Sequence, residues 1–128
     1  MRTIWLLLLS GSLLSSCADE NAVRLGPQEW DETRFIVESR PSPVSRGMTE
    51  FIVIATRGSA KPGVGYIVSL RASEEKPWKQ AIQDGYTGVY RRAVWVEDPQ
   101  AGRLEVHVRK GDEKETTLYF PFQAEALR

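Results

Sequence analysis

The chain has 128 residues with 17 basic and 17 acidic side chains, a formal net charge of zero and a single cysteine. That length suits one domain rather than two, and the balanced charge, with no dense basic patch, gives nucleic-acid binding no electrostatic footing. One cysteine excludes an internal disulfide.

Arg2 gives a short positive start, followed by the apolar run Ile4 to Leu14, broken only by Ser10-Gly11-Ser12. The run falls short of the ~20 apolar residues of a membrane-spanning helix and has the make-up of a signal peptide. It ends in Leu14-Ser15-Ser16-Cys17, which resembles a bacterial lipobox: a leucine three residues before a cysteine, with small residues between. The resemblance implies removal of residues 1–16, acylation of Cys17 and attachment to a membrane through lipid. Each buried CH₂ of an acyl chain contributes ~0.8 kcal/mol, so two or three chains anchor firmly where one does not. Lipoproteins of this pattern are similar to those carrying three. Ala18 follows the cysteine where aspartate commonly signals inner-membrane retention, which favours the outer membrane, periplasmic face. Asp19 comes one place later. Processing removes one charge, Arg2, and leaves the rest near neutral.

Residues 17–34 are expected to form the lipidated cysteine and a flexible tether, with Gly26-Pro27 as a break and Trp30 docking onto the domain at its end. The domain itself is expected over 35–122, followed by a tail, 123–128. Its pattern is β throughout. Phe35-Ile36-Val37 is a short strand stopped by Pro41 and Pro43. Glu50 to Thr56 is apolar on both alternating faces and suits a central, covered strand. Tyr66 to Arg71 places Tyr66, Val68 and Leu70 on one face.

Trp78 to Ile82 is a weaker alternating segment, and Asp84-Gly85 is a turn. Gly88 to Val96 is the longest strand candidate, and its Arg91-Arg92 pair puts one side chain on each face. Arg103 to Arg109 alternates cleanly, with Leu104, Val106 and Val108 inward and Arg103, Glu105, His107 and Arg109 outward. Thr116 to Phe122 follows a polar hairpin loop. About seven strands with regular turn signals and no helix predict an all-β domain, an immunoglobulin-like antiparallel β-sandwich. Trp95, Phe120, Phe51 and Leu104 are expected to fill the space between the sheets.

Chemistry is sparse. His107 is the only histidine and Met48 the only methionine past the start. A copper site needs two or three such ligands converging, so no metal and no cofactor is expected. There is no G-x-S-x-G motif. A carboxylate pair for sugar hydrolysis would draw on Asp84, Glu97, Asp98 and Glu105, but turns account for Asp84 and Asp98 and a wet strand face for Glu105. No catalytic residue is assigned and the chain is read as no enzyme. The aromatics Trp30, Trp78, Tyr86, Tyr90 and Tyr119 do not all fit the core by alternation. They form the candidate binding surface, for sugars or for protein.

The stretch Trp78 to Tyr90, with its Gly85-Tyr86 and Gly88-Val89-Tyr90, and the later Pro99-Gln100-Ala101-Gly102-Arg103-Leu104-Glu105-Val106 resemble the YtkA-like/FixH-like group of envelope domains. Phe51 to Ile54 matches that group's earlier central strand. The resemblance spans roughly residues 35 to 122 and implies an immunoglobulin-like sandwich without catalytic residues, some of whose members are linked to copper handling or cytochrome oxidase assembly. This chain lacks a His/Met cluster and has a lipobox in place of a membrane-spanning segment. The expectation is a lipid-anchored envelope protein that contacts another envelope protein as an accessory module. The alternatives are a carbohydrate- or peptidoglycan-binding module and a metal-handling accessory.

Overall fold

The computed structural model describes residues 23–123. The apolar leader, Cys17, the start of the expected tether and residues 124–128 lie outside the described residues. Among the described residues every regular element is a strand, and the strands form two antiparallel sheets.

The first sheet runs in the order β1 (Arg24–Trp30), β2 (Thr33–Arg40), β3 (Gly47–Arg57), β8 (Val89–Val96), β7 (Ile82–Gln83), with the two-residue β4 (Lys61–Pro62) paired to the end of β3. The second runs β10 (Lys114–Pro121), β9 (Arg103–Lys110), β5 (Ile67–Arg71), β6 (Lys79–Gln80). Side chains alternate between faces along a strand, and one parity of each strand carries the apolar set. Phe35 and Val37 of β2, Phe51 and Val53 of β3, and Tyr90, Val94 and Val96 of β8 turn toward Val68 and Leu70 of β5, Leu104, Val106 and Val108 of β9, and Leu118 and Phe120 of β10. Each such burial contributes about 1.5–3 kcal/mol, and the rings of Phe51 and Phe122 stack at 5.8 Å. Because β3 is paired on both sides, even its outer-face Ile52 is buried, between the cross-strand neighbours Glu38 and Arg91.

The sheets are not where the sequence places every residue. The stretch read as a tether to residue 34 contains β1 and the start of β2. Leu25 enters the core, and the Gly26-Pro27 break is a register shift between Leu25 and Gln28, not the end of pairing. Gly26 has φ +96°, and a Cβ there would meet the Phe120 ring at 2.9 Å, so glycine permits both the bend and the close packing. Trp95, expected between the sheets, faces outward and is 43 % exposed, because Val94 and Val96 hold the inward parity of β8. The Trp78 to Ile82 segment is not one strand. Lys79 and Gln80 pair with β5, while Ile82 and Gln83 pair with β8. Ala81, whose N–H donates to the Val68 carbonyl, is the buried crossing point between sheets.

The register gives the domain two distinct ends. Arg24, the 41–46 loop, the 72–77 loop and the 97–102 turn gather where β1 begins. The Asp31-Glu32 turn, the 58–60 loop, the 84–88 turn and the 111–113 hairpin tip lie at the other.

Candidate functional site

The five aromatics expected to share a binding surface are dispersed. Tyr90 is a core residue, 1 % exposed, whose hydroxyl donates to the Gly63 carbonyl at 2.9 Å. Burial pushes its phenol above the ordinary value. It shares the inward parity of Val94 and Val96, a parity that the pairing of β8 with β3 sets. Trp30 is half-buried and packs on Tyr66 at 6.2 Å, at the end away from the chain start. Tyr86 stands alone in the β7–β8 turn, 85 % exposed. Only Trp78 and Tyr119 belong to one face, the outside of the second sheet.

On that face each ring is already occupied. The Arg71 guanidinium lies 4.2 Å over the Trp78 ring, and that of Arg103 lies 4.2 Å over Tyr119. Arg71 also bonds Glu105 at 3.3 Å, Arg103 bonds Glu74 at 3.2 Å, and His107 meets Glu115 at 3.2 Å while its ring packs on Trp78. Glu105 was expected on a wet surface. It does point outward, but Arg71 and Tyr119 flank it across the strands and leave it 2 % exposed. The Arg71 guanidinium is fixed beside this carboxylate, as a buried acidic group requires of its surroundings.

The carboxylates weighed for hydrolysis separate into two places. Glu97, Asp98 and Glu105 line a cleft of about 460 Å³ at the end where the chain starts, whereas Asp84 lies at the other end. Each has a structural partner. Asp98 Oδ1 accepts the N–H groups of Gln100 and Ala101, Glu97 faces Arg46 at 3.4 Å, and Asp84 faces Arg91 at 3.6 Å. His107 and Met48 lie on the outer faces of different sheets, so the fold does not bring together the two residues a metal-delivery role would use.

A second polar cluster went unread in the sequence. Asp31 and Glu32 take φ of 54° and 55°, the pair of positive angles that a two-residue hairpin loop requires. The Asp31 carboxylate accepts from Lys110 at 3.2 Å, Lys114 at 3.3 Å and the Tyr66 hydroxyl at 3.1 Å. The Lys110 hydrogen bond, helped by Lys114 and Tyr66 against the opposing effect of burial, holds this carboxyl below the usual value of 3.8. The bonds tie the β1–β2 turn to the β9–β10 hairpin, 79 residues away in sequence, and account for the cations gathered there.

The remaining surface is the outside of the first sheet. Met48 and Ile82 are 60 % and 69 % exposed, and Trp95 stands opposite Met48. They border a groove of about 590 Å³ lined by Met48, Ile82, Ala93 and the Glu50–Arg91 ion pair. The groove also carries Gln83, Asp84 and Arg92, and among the described residues no cation lies over the Trp95 ring as one does over Trp78 and Tyr119.

No protein family, curated protein or solved structure matches the chain.

Proposed function

We propose that this chain is a lipid-anchored bacterial envelope protein without catalytic activity, whose immunoglobulin-like sandwich serves as an accessory module for another envelope protein at the membrane surface. The Leu14-Ser15-Ser16-Cys17 motif supports the anchor. The strand order supports the fold. Taking β2, β3, β5, β7, β8, β9 and β10 in turn as strands A to G, one sheet reads A-B-E-D and the other G-F-C, the arrangement of constant-type immunoglobulin domains. β1 is an addition outside strand A. The YtkA-like/FixH-like resemblance rests on its short motifs and agrees with this topology.

The observation that carries the reading is where β1 begins. With Arg24 in a sheet, only residues 18–23 separate Cys17 from the domain, a reach of about 20 Å even when extended. A module on so short a lead works close to the bilayer, on the periplasmic face of the outer membrane if Ala18 directs sorting. The arrangement favours a partner in or on the membrane over a distant sugar polymer. The second reading, a carbohydrate- or peptidoglycan-binding module, draws on Trp78 and Tyr119 sharing a face. Their ring faces are already covered by Arg71 and Arg103, so a sugar would have to displace both cations.

Cross-linking of the full chain in intact cells tests the choice. An envelope protein should be captured by the wild type and lost with Cys17→Ser. Co-sedimentation with isolated sacculi, abolished by Trp78→Ala with Tyr119→Ala, would favour the sugar-binding reading instead.

A further inference from the structure

Among the described residues, β8 is paired along one side by β3 over its whole length, but on the other side it is paired at one end alone, where Arg91 and Tyr90 face Ile82 and Gln83. On that second side the Asp84 N–H donates to the Val89 carbonyl at 2.8 Å. Backbone groups point to alternate sides along an antiparallel strand, so those of Ala93 and Trp95 point the same way as those of Val89 and, among the described residues, meet no strand. The side chains of both residues stand on the outer face. Ala93 lines the groove of about 590 Å³, and Trp95 projects beside it without lining it. A large exposed ring and an open hollow therefore sit two residues apart on one free edge.

We propose that a second copy of this chain pairs at that edge, β8 antiparallel to β8 about a two-fold axis through Val94. In this register Ala93 stands opposite the partner's Trp95, so each indole enters the groove over the other copy's Ala93. One patch serves both sides, as a two-fold interface requires. The available space matches this occupant. Ile82 blocks the edge at Arg91, so an incoming strand must leave the sheet after the residue opposite Arg92. In this register that residue is the partner's Val96, and β8 ends at Val96. The axis runs normal to the sheet, so the two copies of Arg24, where β1 begins, lie at opposite ends of the paired sheet. The pairing itself does not depend on the lipid anchor.

The test is disulfide trapping of the full chain in a Cys17→Ser background. Residue 94 faces its own symmetry mate as a non-hydrogen-bonded pair, with Cα atoms about 4.5 Å apart, within the range a disulfide spans. Val94→Cys should give a covalent dimer on mild oxidation, and Val96→Cys, out of register with itself, should not. Ala93→Pro removes an N–H that only a partner would use, on an edge where proline is tolerated. Added to Val94→Cys it should abolish the dimer while circular dichroism stays that of the parent. Trp95→Lys should do the same. A monomer mass for the unsubstituted chain up to about 100 µM, with no trapping at residue 94, overturns the proposal. So does equal trapping at 94 and 96, or protection of Ala93 and Trp95 amides from exchange only when a different envelope protein is added.

Discussion

The outer faces of the two sheets solve the same problem in opposite ways. The second sheet also carries large rings outside, Trp78 and Tyr119, but Arg71, Arg103, Glu105 and Glu74 hold them under a lattice of charge. The first sheet leaves Met48, Ile82 and Trp95 in the open beside an unpaired edge. An exposed aromatic is therefore weak evidence of a binding site on its own. What distinguishes the two faces is whether the ring already has a partner within the chain. By that measure the second face serves stability and the first is available for contact.

The largest expected break in this contrast is Glu105→Ala. It strands the Arg71 guanidinium against a carboxylate site that is 3 % exposed, and loss of one partner from a buried pair costs about 3–5 kcal/mol, read as a lower urea midpoint. Tyr90→Phe removes the hydroxyl that satisfies the Gly63 carbonyl in the core between the faces. A cost of about 1–2 kcal/mol is expected in the same assay.

Lowering the pH should loosen the tie between the β1–β2 turn and the β9–β10 hairpin. Asp31 has a folded-state pKa below its unfolded value, so its contribution is present above the unfolded value of 3.8 and fades as pH falls through the lower, folded one. Thermal melts below about pH 4 should therefore show a smaller acid-induced drop for Asp31→Asn than for the parent. The smallest effects separate the faces most cleanly. Trp78→Ala should cost about 1 kcal/mol through loss of the Arg71 contact. Trp95→Ala, at a partly exposed position with no charged partner over it, should change the unfolding midpoint of the dilute chain by less than about 0.5 kcal/mol.

Alternation made much of the all-β domain legible. Leu104, Val106 and Val108 of β9, Leu118 and Phe120 of β10, and Phe122 just past its end are buried on the parity their spacing predicts. The parts that escaped share one cause: they depend on residues far away in sequence. β8 is apolar on both parities, and the Arg91-Arg92 pair puts a cation on each, so only its pairing and packing decide that Tyr90 is inside and Trp95 outside. Glu105 reads as a solvated strand residue until Arg71, 34 residues earlier, is set beside it. β1 is masked by Gly26-Pro27, a sequence that normally ends pairing and here makes a bulge. The Asp31-Glu32 turn lacks the glycine or asparagine that usually marks its type, and its stabilising lysines come from another hairpin.

Those same escapes redefine the anchor. Without β1 the domain would ride on a lead of residues 18–34. With it the lead shrinks to 18–23, and under the proposed lipid anchor the domain would work at the membrane surface. The intact mass of the mature chain purified from membranes tests that account most directly. It predicts a chain beginning at Cys17 and carrying acyl chains, and a Cys17→Ser variant found outside the membrane fraction. A mature chain that begins elsewhere, or one with a free Cys17 thiol, would contradict it.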